Sequence, residues 1–149
     1  MIKKILVPID GSKMSQKASQ YAVGLAKQTG ASVTLLIVID TRFVVGQSVP
    51  ASASPTHVKE TVEDYLKQSA QASLDGTAAI CKRDRVHCKT ALRTGHPVEE
   101  IMKEAVRSKA DLIVIGSQGK SALKAAVLGS VTYGVVHKDT KIPVLIVRR

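Results

Sequence analysis

The sequence predicts an α/β fold, with a mostly parallel sheet of five strands covered by helices on both faces. Three observations predict it. Apolar periodicity switches back and forth between strand-like runs and helical spacing along the 149 residues. The runs "SVTLLIVID" and "DLIVIG" are apolar at nearly every position, as a strand requires when both its faces are buried. Strands alternating with helices need crossovers, and right-handed crossovers place helices on both sides of the sheet.

Each element has its own justification. "IKKILVPI" is a short apolar run stopped by "DGS", a strand followed by a turn into a helix. Ala18, Tyr21, Ala22, Leu25 and Ala26 then recur at helical spacing, and Gly30 ends that helix. "ASVTLLIVID" is the second strand. From Thr41 to Pro55 small, polar and proline residues predict a long loop. Val58, Val62, Tyr65 and Leu66 mark an amphipathic helix running to about Lys82. "RVHCKTALRTG" holds a third strand. Pro97 opens the next helix with Glu99 and Glu100 in its first turn, and Val98, Ile101, Met102, Ala105 and Val106 on one face. "DLIVIG" is the fourth strand, Val131, Val135 and Val136 mark a last helix, and "IPVLIVRR" supplies the fifth strand.

Size and composition agree with one domain over residues 1–149: 44% hydrophobic and 23% charged residues are globular proportions. "MIKKILVPIDGS" holds no apolar stretch of signal-peptide length, and no run approaches the ~20 residues of a membrane span, so a cytoplasmic protein without membrane contact is expected. Cys81 and Cys88, with six residues between them, match no zinc or redox spacing and are expected as free thiols, and His87 and Cys88 are expected on opposite faces of a strand. The net charge of +10 is uneven: residues 1–75 carry eight Lys/Arg against six Asp/Glu, residues 76–149 fourteen against six. A basic half attracts phosphate or nucleic acid, or simply keeps the surface solvated.

In an open parallel sheet, ligands bind beyond the carboxyl ends of the strands where the winding reverses. That directs attention to Asp10, Gly11 and Ser12, to Asp40, and to the stretch "GSQGKSALKAAVLGSV" from Gly116. A Walker loop is excluded because Val114 stands where its first glycine is needed, and no GxGxxG follows the first strand. What remains is G-x2-G-x9-G-S: Gly116, Gly119, Gly129 and Ser130. Glycines let backbone N–H groups approach phosphate oxygens and permit positive φ, and a helix beginning at Gly129 and Ser130 favours an anion. The same residues also suit a plain turn and helix cap. Asp10 suits a turn before the first helix as well as a ligand role. Asp40 reads first as a turn former at the loop entry, and Gly11 and Ser12 as a turn. Lys120 and Lys124, between the second and third glycines, add charge near any phosphate or stand solvated.

"KKILVPIDGS", "VID", "GHPVEEI", "DLIVIGSQGKSALKAAVLGSV" and "IPVLIV" together resemble the universal stress protein family, from Lys3 to Val147. The glycine-serine pattern resembles that family's ATP-binding signature. The resemblance implies a Rossmann-like sheet, of the adenine nucleotide alpha hydrolase kind, ordered 3-2-1-4-5, and a homodimer joined through the last strand. It implies that Asp10 contacts the ribose, that Pro8 and Ile9 line the base pocket, and that Val38 meets adenine through its backbone. Ile115 and Gly116 then flank the ribose and α-phosphate, while Gly119, Gly129, Ser130 and Val131 hold the phosphates. Gln118 is a neutral side chain where the family commonly carries an arginine or a histidine.

Three functions follow as readings. The leading one is an adenine-nucleotide-binding regulatory module of the stress response, taking ATP or AMP with Mg²⁺ or Mn²⁺ carried by the nucleotide; no metal site is expected from the protein alone, with Asp10 as the one contact to such a cation. The second is a slow ATPase or autophosphorylating enzyme, disfavoured because no histidine or glutamate lies between Gly116 and Ser130 to act as a base. The third is a nucleic-acid binder through "CKRDRVHCK", disfavoured because one Phe, three Tyr and no Trp leave few side chains for stacking bases.

Overall fold

The computed structural model of the protein describes residues 1–42, 55–119 and 128–148. Strands β1 (Lys4–Pro8), β2 (Ser32–Asp40), β3 (Cys88–Gly95), β4 (Leu112–Gly116) and β5 (Val144–Val147) form one sheet in the order β3-β2-β1-β4-β5. Every neighbouring pair is parallel. The winding reverses between β2 and β4, on either side of β1. The expected sheet, including its strand order, is therefore the observed one.

Four helices connect the strands among the described residues: α1 (Lys13–Thr29), α2 (Pro55–Arg83), α3 (Pro97–Arg107) and α4 (Ser130–Val136). Most of the loop expected from Thr41 to Pro55 falls outside the described residues, and Pro55 already belongs to α2. Local signals explain the helix ends. The Ser12 side chain accepts from the Ser15 N–H at 3.1 Å and caps α1, which ends on Gly30 at a left-handed φ of 76°. Pro97 begins α3, with Glu99 and Glu100 beside the positive end of its dipole.

The two faces of the sheet carry two cores. Ile5, Val7, Val33, Leu35 and Val114 pack with Ala18, Ala22 and Val23 of α1 and Leu74 of α2. Leu6, Leu36 and Ile113 point the other way, onto Val98, Ile101 and Ala105 of α3 and Val135 of α4. Alternate residues of each central strand are thus buried on opposite sides, which is why those strands read as unbroken apolar runs.

The buried stripes are narrower than the apolar spacing suggested. Tyr21, Tyr65 and Val106 lie on the expected helix faces yet are exposed. A helix on a sheet buries one narrow row; Val106 stands about 100° around α3 from the fully buried Ala105 and so faces solvent. His87 also departs from expectation: it precedes β3 rather than sitting in it, and its carbonyl accepts the Val33 N–H at 2.9 Å.

Candidate functional site

The carboxyl ends of β1, β2 and β4, the inner face of α2 and the start of α4 enclose a cavity of about 700 Å³, a volume usual for small-molecule sites. All ten residues singled out in the sequence line it: Pro8, Ile9, Asp10, Val38, Ile115, Gly116, Gly119, Gly129, Ser130 and Val131. The chain supplies them from five separate segments, and the reversal beside β1 brings them together.

Asp10 follows β1. Its Oδ1 accepts the Ser12 N–H at 2.9 Å, and Gly11 turns the chain with a φ of 80°. The turn-former reading of Asp10, Gly11 and Ser12 is correct, and it is compatible with Asp10 facing the cavity. A Cβ on Gly119 would stand 2.5 Å from Asp10 Oδ2, so the glycine stretch and the Asp10 carboxylate touch across the reversal point.

The glycines serve close approach and not unusual dihedrals. Positive φ among the glycines is confined to Gly11, Gly30 and Gly95 among the described residues, so the expected use of positive φ at Gly116, Gly119 or Gly129 is corrected. Gly116 ends β4 so near α1 that a Cβ would meet the Met14 carbonyl carbon and oxygen at 3.0 Å. Its own carbonyl accepts the Thr132 hydroxyl at 2.7 Å, which ties α4 to β4. Gly129 packs on Gln118 and Gly119, and its N–H donates to the Ser117 carbonyl at 2.8 Å. Gly129, not Ser130, is the N-cap of α4; Ser130 is its first helical residue. The cap therefore carries no side chain. Lys120 and Lys124 lie outside the described residues.

Asp40 behaves as the turn former it was expected to be, and more. The Arg42 N–H donates to Oδ1 at 3.0 Å, and the guanidinium grips both oxygens, Nε at 3.0 and 3.1 Å and Nη2 at 2.6 Å. This fork holds the Asp40 carboxyl below the usual carboxylate range, against the opposing effect of its burial. Both residues line the cavity. Arg42 is its one cationic lining residue among those described.

Sequence reasoning missed the wall opposite the glycines. Leu66, Ser69, Ala70 and Ser73 of α2 close that side. Their spacing is one helical face, of which Leu66 alone is named from the sequence, as a mark of the amphipathic helix. The charged lining residues among those described are Asp10, Asp40 and Arg42, and no histidine or glutamate joins them. No group of three His, Cys, Asp or Glu placed to hold a metal occurs among the described residues. No helix among them is long and apolar enough to cross a membrane.

Known proteins share this fold. A universal stress protein of Methanocaldococcus jannaschii, MJ0531, is 36% identical over 149 residues, covering 100% of this chain and 84% of its own. The solved structure of MJ0577, a universal stress protein of the same organism, superposes with a TM-score of 0.86 at 31% identity, covering 100% of this chain and 97% of that one. A universal stress protein from Archaeoglobus fulgidus, solved in complex with dAMP, shares the fold at a TM-score of 0.67 and 20% identity, over 99% of this chain and 100% of its own. Sheet order, glycine spacing and these likenesses converge with a match of the Universal stress protein family model to residues 1–148, and the chain belongs to that family.

Proposed function

We propose that the cavity binds an adenine nucleotide, ATP or AMP, and that the protein acts as a nucleotide-responsive binding module of the stress response. One observation carries this reading: Asp10 and the residues Gly116, Gly119, Gly129 and Ser130, distant from it in sequence, meet at the rim of a single cavity at the winding reversal. In this reading the Asp10 carboxylate accepts from ribose hydroxyls. The base lies among Pro8, Ile9 and Val38, where β1 and β2 end and the walls are mostly apolar. The phosphates lie against Gly119, Gly129, Ser130 and Val131, where a bare backbone allows N–H groups to reach them. That a relative from Archaeoglobus fulgidus holds dAMP on the same fold supports the class of ligand.

A divalent cation fits this site only as a companion of the nucleotide. The described lining offers it one carboxylate outside the Asp40–Arg42 pair, that of Asp10. Mg²⁺ or Mn²⁺ bound there takes its remaining ligands from phosphate and water, neutralising phosphate charge.

Binding is favoured over turnover by the same lining. Asp40 is engaged by Arg42, and the described lining holds no histidine or glutamate to act as a base on a water. The second subunit of a homodimer joins at β5, an edge strand whose Val144, Leu145 and Ile146 are half-buried within one chain. The test is isothermal titration of the purified protein with ATP and AMP, alongside mass spectrometry of any nucleotide released on denaturation. Saturable binding near one nucleotide per chain supports the reading; no heat and no released nucleotide would overturn it.

A further inference from the structure

Away from the cavity, the two thiols of the chain come together. Cys81 lies in the last turns of α2 and is fully buried; Cys88 opens β3, an edge strand, and is partly exposed. Seven residues of extended chain would separate them by about 23 Å. The α2–β3 connection folds back instead. Arg85 adopts a left-handed φ of 57°, its N–H donates to the Lys82 carbonyl at 3.1 Å, and the Val86 N–H returns to the Cys81 carbonyl at 2.9 Å. Cys88 consequently packs on the core cluster that contains Cys81, where the two thiols interact, and its thiol also reaches the Lys89 carbonyl at 3.6 Å.

We propose that Cys81 and Cys88 are a peroxide-responsive modification site that closes to a reversible intrachain disulfide. One sulfur, as thiolate, attacks the peroxide O–O bond and becomes a sulfenic acid while water leaves. The second sulfur displaces the hydroxyl of that sulfenic acid, forming the S–S bond and releasing a second water. Two thiols are oxidised and one hydrogen peroxide is reduced to water.

The surroundings suit this chemistry. The interaction between the thiols favours ionisation of Cys81 and holds Cys88 protonated. Cys88, partly exposed on the edge strand, is the solvent-facing member of the pair, and Cys81 lies behind it in the core. The bond would fasten the end of the helix whose earlier residues, Leu66 and Ser73 among them, wall the cavity.

The experiment uses the reduced full-length protein with hydrogen peroxide, read by intact mass, thiol titration and peptide mapping. The expected result is loss of both thiols and of two hydrogens per chain, a mapped Cys81–Cys88 link, and full recovery with dithiothreitol. Because Cys81 is fully buried and its replacement endangers the fold, Cys88→Ser is the companion variant, and it is expected to keep its single thiol at a dose that closes the wild type. A wild-type mass that rises by oxygen atoms, cross-links between chains, or a thiol titre unchanged at a dose that oxidises free cysteine in the same buffer would each overturn the proposal.

Discussion

Gly119 and Asp10 are in contact across the winding reversal: a Cβ added to Gly119 would lie 2.5 Å from Asp10 Oδ2. No carbon and carboxylate oxygen share that distance, so any side chain at 119 displaces Asp10 or the loop. The carboxylate is the movable partner, being the end of a short side chain on the rim of the cavity. Substitution should thus alter the site more than the fold.

Gly119→Val is accordingly expected to weaken ATP binding at least about tenfold, about 1.4 kcal/mol. The thermal midpoint should shift little. Titration calorimetry and a melting curve on the same sample check both halves. Affinity equal to wild type would remove Gly119 from the phosphate site.

Asp10→Ala is expected to weaken nucleotide binding and to abolish any residual phosphate release together. Hydrolysis by the wild type should fall well below the about 10 per second typical of enzymes. Turnover of several per second that vanishes in Asp10→Ala would make the protein an ATPase.

Gly134 of α4 has a structural role. A Cβ there would lie 2.6 Å from Val98 Cγ2 of α3. Alanine gains about 1 kcal/mol of helix propensity, but overpacking costs about 1–3 kcal/mol. Gly134→Ala should therefore destabilise modestly, and Val98→Ala in the same chain should recover part of the loss. Denaturant midpoints of both single variants and the double variant measure that coupling; additive effects would contradict the contact.

Asp40 makes acid stability sensitive to Arg42. The guanidinium lowers the carboxyl below its unfolded value, so the stabilisation is present at neutral pH. It is lost as pH falls below the ordinary carboxylate value of about 3.9 and through the lower folded value. Asp111, lowered by N–H donations from Lys3 and Lys4 at 2.9 Å, acts in the same window. Asp40→Asn should flatten the fall of the thermal midpoint between about pH 5 and pH 2. An unchanged slope would show that this pair does not matter to folding.

β5 provides a test of the proposed homodimer. The carbonyls of Pro143 and Val147 accept from Ile113 and Ser117 of the β4 side, so strand alternation turns the Ile146 N–H to the open edge. Ile146→Pro removes that outward donor and should shift the protein to monomers in light scattering. A wild type already monomeric at micromolar concentration would end the pairing idea.

Much of this was legible in the residues alone. Period, capping and turn signals act between neighbours a few positions apart, so β2, the turn at Gly11 and Ser12, the Gly30 end and Pro97 at the head of α3 could be read directly. The glycine-serine spacing marked the candidate site for the same reason: it lies within one short segment. Contacts between distant segments were not legible. That Gly116 must be bare because Met14 backbone presses on it, that Leu66 and Ser73 wall the cavity, and that Cys81 meets Cys88 all follow from how helices dock on the sheet. Docking depends on side-chain volumes summed over the whole core, and no local pattern encodes that sum.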